Sequence, residues 1–232
     1  MVVMVSMILG RLTGFLRETV LSWKVGLSWV QDAYVAAFTV PDIMNVLLVG
    51  GMISAALVPF LSGKVEKGEE KKGWTAASTF INMTLVALAV ICALGIIFAD
   101  MIIPVVAPGF NNSSPQTKEL AVKLSRVLFP SVFFIMLAGI CNGVLNSYKK
   151  FAAAAFGPSV YNMGCAVSIY LFADTDPRSM IKAAVFVSLS SFGYFLLQFA
   201  FSMKKFRYYW MAIEPADPDF RKLFGHAVPS LL

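Results

Sequence analysis

Apolar residues fill this chain in long blocks separated by short polar breaks. The blocks run from about Val2 to Trp23, Ala33 to Leu61, Trp74 to Val106, Lys118 to Ser147, Ala152 to Ala173 and Ile181 to Met203. Each reaches the roughly 20 mostly apolar residues that a membrane-crossing helix needs. The pattern therefore predicts an all-α, polytopic transmembrane bundle: a six-helix N-terminal lobe, with a seventh helix starting near Phe220 and cut off at Leu232. Pro41 and the Gly50-Gly51 pair permit a bend in the second block, and the third, long for one span, exits through Pro104 and Pro108-Gly109. No soluble domain fits between the blocks. Residues 1–205 are assigned to the lobe, 206–219 to a cytoplasmic linker rich in Pro and acidic residues, and 220–232 to the start of a second lobe.

Lysines and arginines set the predicted orientation. They gather after the second block (Lys64, Lys67, Lys71, Lys72), after the fourth (Lys149, Lys150) and after the sixth (Lys204, Lys205, Arg207, Arg221, Lys222). Alternate connections carry only Lys24, Arg178 and Lys182, and the Pro108 to Thr117 turn carries no basic residue. By the excess of positive charge on cytoplasmic loops, the richer side and the N-terminus are cytoplasmic. The opening MVVMVSMILG lacks a basic start and a small-residue cleavage site, so no removable signal peptide is expected.

Composition agrees with a membrane protein. The chain is 58% hydrophobic and 14% charged, well removed from soluble averages. The net charge of +6 follows from the connecting segments and does not indicate nucleic acid. Cys92, Cys141 and Cys165 fall in apolar stretches without metal-ligand spacing, so they are expected as buried packing residues, and no cofactor is expected. An enzyme is disfavoured: His226 is the only histidine, no carboxylate pair has plausible spacing within a span, and no GxSxG occurs.

Against this background the charges between Gly10 and Pro59 stand out. Arg11, Arg17, Glu18 and Asp32 lie within or beside apolar sequence, where a central charge costs about 3 kcal/mol unless it faces a protein interior or water. Arg11 and Glu18, seven apart, share a helix face but sit about 10 Å apart along the axis, too far for a direct pair. Asp32 or an external anion could neutralise Arg11, whose planar guanidinium suits phosphate or carboxylate. Alternatively Arg17 and Glu18 snorkel to the far interface and Asp32 caps the next helix. The Gly10/Gly14 spacing lets another helix approach beside Arg11, and Gly50, Gly51, Ser54, Ala55 and Ala56 give the second block a small-residue face.

The segments GRLTGFLRE, DAYVAAFTVPD and GGMISAALVPF together resemble the opening of the MurJ/MviN family of lipid II flippases, in the multidrug and oligosaccharidyl-lipid exporter superfamily. LSRVLFPSVFFIMLAGICNGVLNSYKKFAAAAFGPSVYN, the Pro108-Gly109-Phe110 turn and the RKLFGHAVPSLL ending continue the resemblance across essentially the whole chain. It implies a fourteen-helix protein of two six-helix lobes and two further helices, in the bacterial inner membrane. Such a protein moves undecaprenyl-pyrophosphate-linked glycopeptide (lipid II) to the outer leaflet by alternating access during cell-wall synthesis. This chain is then expected to be a piece, with a missing C-terminal lobe as its partner. The resemblance also implies that Arg11, Arg17 and Asp32 line a substrate cavity, the arginines contacting pyrophosphate. Asn45-Val46 stand where the family carries arginines, and Val49-Gly50-Gly51 where it carries Ala-Glu-Gly. Those departures imply weaker anion binding or a different lipid-linked glycan. Export of a polysaccharide, or a non-transporting half-protein, are the alternatives.

Overall fold

The computed structural model describes residues 2–45, 53–110 and 115–227, and among these every regular element is helical. The first block is α1 (Val2–Val25) and the second begins as α2 (Trp29–Asn45), which runs through Pro41. After residues 46–52, which are not described, a wider π-type turn at 53–57 leads into α3 (Val58–Glu66). The third block divides at Phe98 into α4 (Glu70–Ile97) and α5 (Ala99–Val106), which accounts for its excess length. The fourth is α6 (Pro115–Ser147). The fifth splits before Gly157-Pro158 into α7 (Phe151–Ala155) and α8 (Gly157–Phe172), with Pro158 in the first turn of α8, where its missing N–H leaves no helix bond unmade. The sixth is α9 (Pro177–Ser202), closed by a 3-10 turn at Met203–Lys205. Finally α10 (Pro218–Ala227) occupies the predicted seventh position.

Three of these helices, α4, α6 and α9, are long and apolar enough to cross a membrane. The other predicted spans miss that standard for physical reasons. Arg11, Arg17 and Glu18 charge α1, while α2, described as far as Asn45, and α8 have 17 and 16 residues.

Helix α6 is the axis of the bundle. It packs against α2, α3, α4, α5, α7 and α9, and its 33 residues bury side chains all around, including Leu124, Leu128, Met136, Val144 and Leu145. A helix with no polar face has no face to give to water, so neighbours surround it. Two apolar clusters form on its opposite sides. One joins α6 to α1, α2, α5, α8 and α9; the other joins it to the π-type turn, α3, α4 and α10. Beside Pro130, which cannot donate to the helix ladder, the Ser188 hydroxyl donates to the Val127 carbonyl at 2.9 Å and the Cys92 thiol to the Phe129 carbonyl at 3.7 Å. Small residues set the closest approaches. A Cβ on Gly143 of α6 would lie 2.5 Å from the Ile53 side chain, so the π-type turn is seated directly on the α6 backbone. At Gly10 and Gly14 a Cβ would meet Ser159 and Asn162 of α8 at ordinary contact distances, 3.7 and 3.5 Å, and Asn162 donates to the Gly10 carbonyl at 3.4 Å. The glycine pair therefore serves α1–α8 packing.

The three basic connections meet at one end of the bundle. Lys149 pairs with Glu66 at 2.8 Å, Arg207 with Glu70 at 2.5 Å, and the Lys205 ammonium lies 4.7 Å from the Tyr148 ring centre. The segment after α9 is laid along α4. Asn82 donates to the carbonyls of Trp210 (3.1 Å) and Ala212 (2.8 Å), and the backbone amides of Trp210 and Glu214 donate to Ser78 and Thr79. Asp217 caps α10 by accepting from the amides of Asp219 and Phe220, and Phe220, Leu223 and Ala227 then bury against the α4 side of the core.

Candidate functional site

The four charged residues singled out by sequence separate into three places. Arg11 lines a cleft of about 740 Å³ bounded by α1, the π-type turn, α6, α7 and α8. Ser6, Ser54, Asn142 and Asn146 supply its polar lining, and no carboxylate lines it among the described residues. Arg11 is exposed and makes no hydrogen bond or ion pair among the described residues. Asn142 is held from behind, its amide donating to the Tyr194 hydroxyl at 2.8 Å, while its Oδ1 is buried without a partner among the described residues. The amide is thus fixed in position with one acceptor unused, beside a guanidinium offering donors.

Arg17 and Glu18 lie elsewhere, in a small cavity of about 80 Å³ that α2 and α8 close with Tyr34, Phe38, Asp42 and Ile169. Glu18 accepts two bonds from its neighbour Arg17, at 2.7 and 3.0 Å. The arginine reaches across the helix surface because the alternative partner, Arg11, lies two turns away. The Arg17 guanidinium also stacks over Phe38, 4.8 Å from the ring centre, a cation–π contact of about 0.5–2 kcal/mol. Asp32 joins neither cavity. It is exposed in the first turn of α2, where a carboxylate complements the helix dipole, and Ser28 accepts the first-turn Gln31 amide. Sequence reasoning brought Asp32 toward Arg11; the geometry leaves it at the helix start. Asp42, Tyr34 and Asn142 were not singled out. Asp42 carried a signal, being an acid inside apolar sequence, whereas the other two acquire their place only from packing. The departures at Val46 and Val49-Gly50-Gly51 lie outside the described residues, as does the Asn45 side chain.

At the basic end, by contrast, a network of polar groups is bonded across several helices. The buried Trp74 indole donates to the Tyr148 hydroxyl at 2.9 Å, and Tyr148 donates to Glu70, which also receives Arg207. Burial opposes charge on Glu70, but the bonds from Arg207 and Tyr148 prevail and hold its carboxyl below the ordinary 4.5. Burial, reinforced by Glu70, pushes the Tyr148 phenol up to about 12. Lys64 bridges Asp219 at 2.6 Å and Glu69 at 3.2 Å, and the Asp219 bond leads in raising it above the ordinary 10.5.

Helices packed around a buried axis helix, three of them long and apolar enough to cross a membrane, define a polytopic helical membrane bundle, and its open cleft presents Arg11 without a charged partner among the described residues. The fold comparison agrees. A solved structure titled "Lipid II flippase MurJ, inward closed conformation" matches 99% of this chain and 46% of its own at a TM-score of 0.76 and 26% identity. A structure titled "Crystal structure of MATE in complex with MaD3S" matches 98% of this chain and 51% of its own at a TM-score of 0.75 and 18% identity, a likeness of fold alone. The family model described as Lipid II flippase MurJ matches residues 22–232, and the chain belongs to this family. Among curated relatives, the "Lipid II flippase MurJ" of Burkholderia cenocepacia is 34% identical over 185 residues, 78% of this chain and 32% of the relative. The "Probable lipid II flippase MurJ" of Buchnera aphidicola subsp. Schizaphis graminum is 29% identical over 192 residues, 83% of this chain and 37% of the relative. The chain spans about a third of the length of these relatives.

Proposed function

We propose that this chain is the N-terminal lobe of a lipid II flippase, and that Arg11 binds the pyrophosphate of the undecaprenyl-linked glycopeptide as it crosses the inner membrane. The carrying observation is Arg11, without a charged partner among the described residues, in a cleft of about 740 Å³ that no described carboxylate lines. An unpaired guanidinium at this depth is costly unless an anion visits it, and pyrophosphate accepts its parallel N–H donors. Asn142, with one acceptor unused, suits a hydroxyl or amide donor on the adjoining sugar. Movement follows from a two-state equilibrium between this lobe and a second, biased by a ligand that binds the two states differently. No covalent step is required of these residues.

The basic end, with Lys64, Lys149, Arg207 and the N-terminus of the chain, faces the cytoplasm in this reading. Residues 206–219 are then a cytoplasmic strap from the first lobe to the start of the second. Arg17 and Glu18 act at a different level of the first helix, and Asp32 is assigned a helix-terminal role.

Complementation tests the proposal. A bacterium depleted of its own flippase receives the full-length gene, its Arg11→Gln and Arg11→Lys variants, or the 232-residue form, and outer-leaflet lipid II is scored. Rescue by the parent gene, failure of Arg11→Gln at equal membrane abundance and partial rescue by Arg11→Lys is the expected pattern. Full rescue by Arg11→Gln removes the anion site. Failure of the well-expressed parent gene moves the substrate toward another lipid-linked glycan.

A further inference from the structure

The small cavity between α1, α2 and α8 has a charge imbalance that the pyrophosphate site does not explain. Two carboxylates, Glu18 and Asp42, share it with one cation, Arg17. The remaining titratable groups facing it are Tyr34 from α2 and, beside that residue on α8, Tyr161 and Cys165, all neutral at physiological pH. Arg17 is already committed to Glu18 at 2.7 Å and to the Phe38 ring. That leaves Asp42 as the carboxylate in excess. Tyr34 lines the same cavity, is 3% exposed, and its hydroxyl is buried with no hydrogen-bond partner among the described residues. Leaving a buried hydroxyl without a partner is costly, so its persistence points to an occupant. The space, about 80 Å³, suits a small ion or about two waters and excludes an organic ligand. Glu18, with its side chain 56% exposed, and Asp42, also exposed, stand at the mouth, so exchange with the surroundings is open.

We propose that this cavity binds one monovalent cation, H⁺ or Na⁺, with Asp42 as the anionic ligand and the Tyr34 hydroxyl as a neutral oxygen beside it. Occupancy neutralises Asp42 and leaves Arg17 with Glu18. Release frees the Asp42 carboxylate to compete with Glu18 for the guanidinium, so the side-chain arrangement between α1 and α2 depends on the ion. In the proton case the proton passes between the Asp42 carboxylate and water at the cavity mouth, with no other bond made or broken.

The chain in lipid nanodiscs, compared with Asp42→Asn, Glu18→Gln, Tyr34→Phe and Asp32→Asn, separates the two ions. A proton site gives an infrared band of a protonated carboxyl group that fades as the pH is raised. That band is lost in Asp42→Asn, lost in Glu18→Gln because Asp42 then pairs with Arg17, and retained in Asp32→Asn. A sodium site gives instead a melting temperature several degrees higher in Na⁺ than in K⁺, abolished by Asp42→Asn and reduced by Tyr34→Phe. If Asp42→Asn does not fold, Glu18→Gln and Tyr34→Phe carry the same comparison. Absence of any carboxyl band sensitive to these substitutions, together with identical melting in Na⁺ and K⁺, overturns the proposal. Either result is independent of Arg11 and of lipid II.

Discussion

The two polar regions of this lobe are built in opposite ways. At the basic end, Trp74, Tyr148, Glu70 and Arg207 form an unbroken chain of bonds between residues far apart in sequence, and Lys64 ties α3 to α10 through Asp219. Along α1 the polar groups are incompletely matched among the described residues: Arg11 faces a cleft without a counter-charge, Asn142 and Tyr34 keep unused atoms, and Asp42 shares a cavity with a guanidinium already bound to Glu18. Satisfied networks hold helices in one arrangement, whereas unmatched groups are costly and persist where something else visits them. The first region fastens the lobe, and the second is where the proposed ligands would bind.

Substitutions in the two regions should therefore separate stability from transport. The largest expected effect is Trp74→Ala, which empties a fully buried site in the core and strips the Tyr148 hydroxyl of its donor. A loss of about 3–5 kcal/mol is expected in denaturant or thermal melting. Next, Arg11→Gln should weaken lipid II binding by about 10- to 100-fold, the value of charge-assisted hydrogen bonds, while leaving the melting temperature unchanged. Ligand-binding and melting measurements on the same preparation decide it, and a large loss of stability would erase the contrast between the regions.

A smaller effect is expected from acid. Glu70 is held below its ordinary 4.5, so the folded state binds fewer protons there than the unfolded state. Its contribution is complete above about 4.5 and is lost as pH falls through the depressed folded value. The difference between wild-type and Glu70→Gln melting temperatures should therefore shrink on acidification; a constant difference would show that Glu70 acts through packing. The smallest effect belongs to Asp32→Asn, exposed in the first turn of α2, where only a helix-dipole contribution of about 0.3–1 kcal/mol is at stake. Strong impairment of transport by that substitution would return Asp32 to the substrate path.

The helical architecture was legible in the sequence because bilayer solvent imposes it: backbone groups must be bonded within each apolar segment, and segment length follows bilayer thickness. Proline and glycine positions marked the exit after Val106 but not the internal breaks, since α2 runs through Pro41, α5 contains Pro104 and the third block divides at Phe98, whereas the basic clusters do meet at one end. Arg11 was also legible, since charge in an apolar helix is anomalous without any knowledge of neighbours. What the sequence could not supply was pairing. Helical periodicity placed Glu18 on the face of Arg11, yet Glu18 bonds Arg17, because long side chains reach sideways and nothing spans two turns. The seating of Gly143 under Ile53, the fixing of Asn142 by Tyr194 and the meeting of Asp42 with Arg17 join residues from separate helices. Residue type and spacing decided which segments are helices and which charges need a reason. Only the packing of those helices decided which charges have partners, because partnership depends on distances between segments that the linear order does not encode.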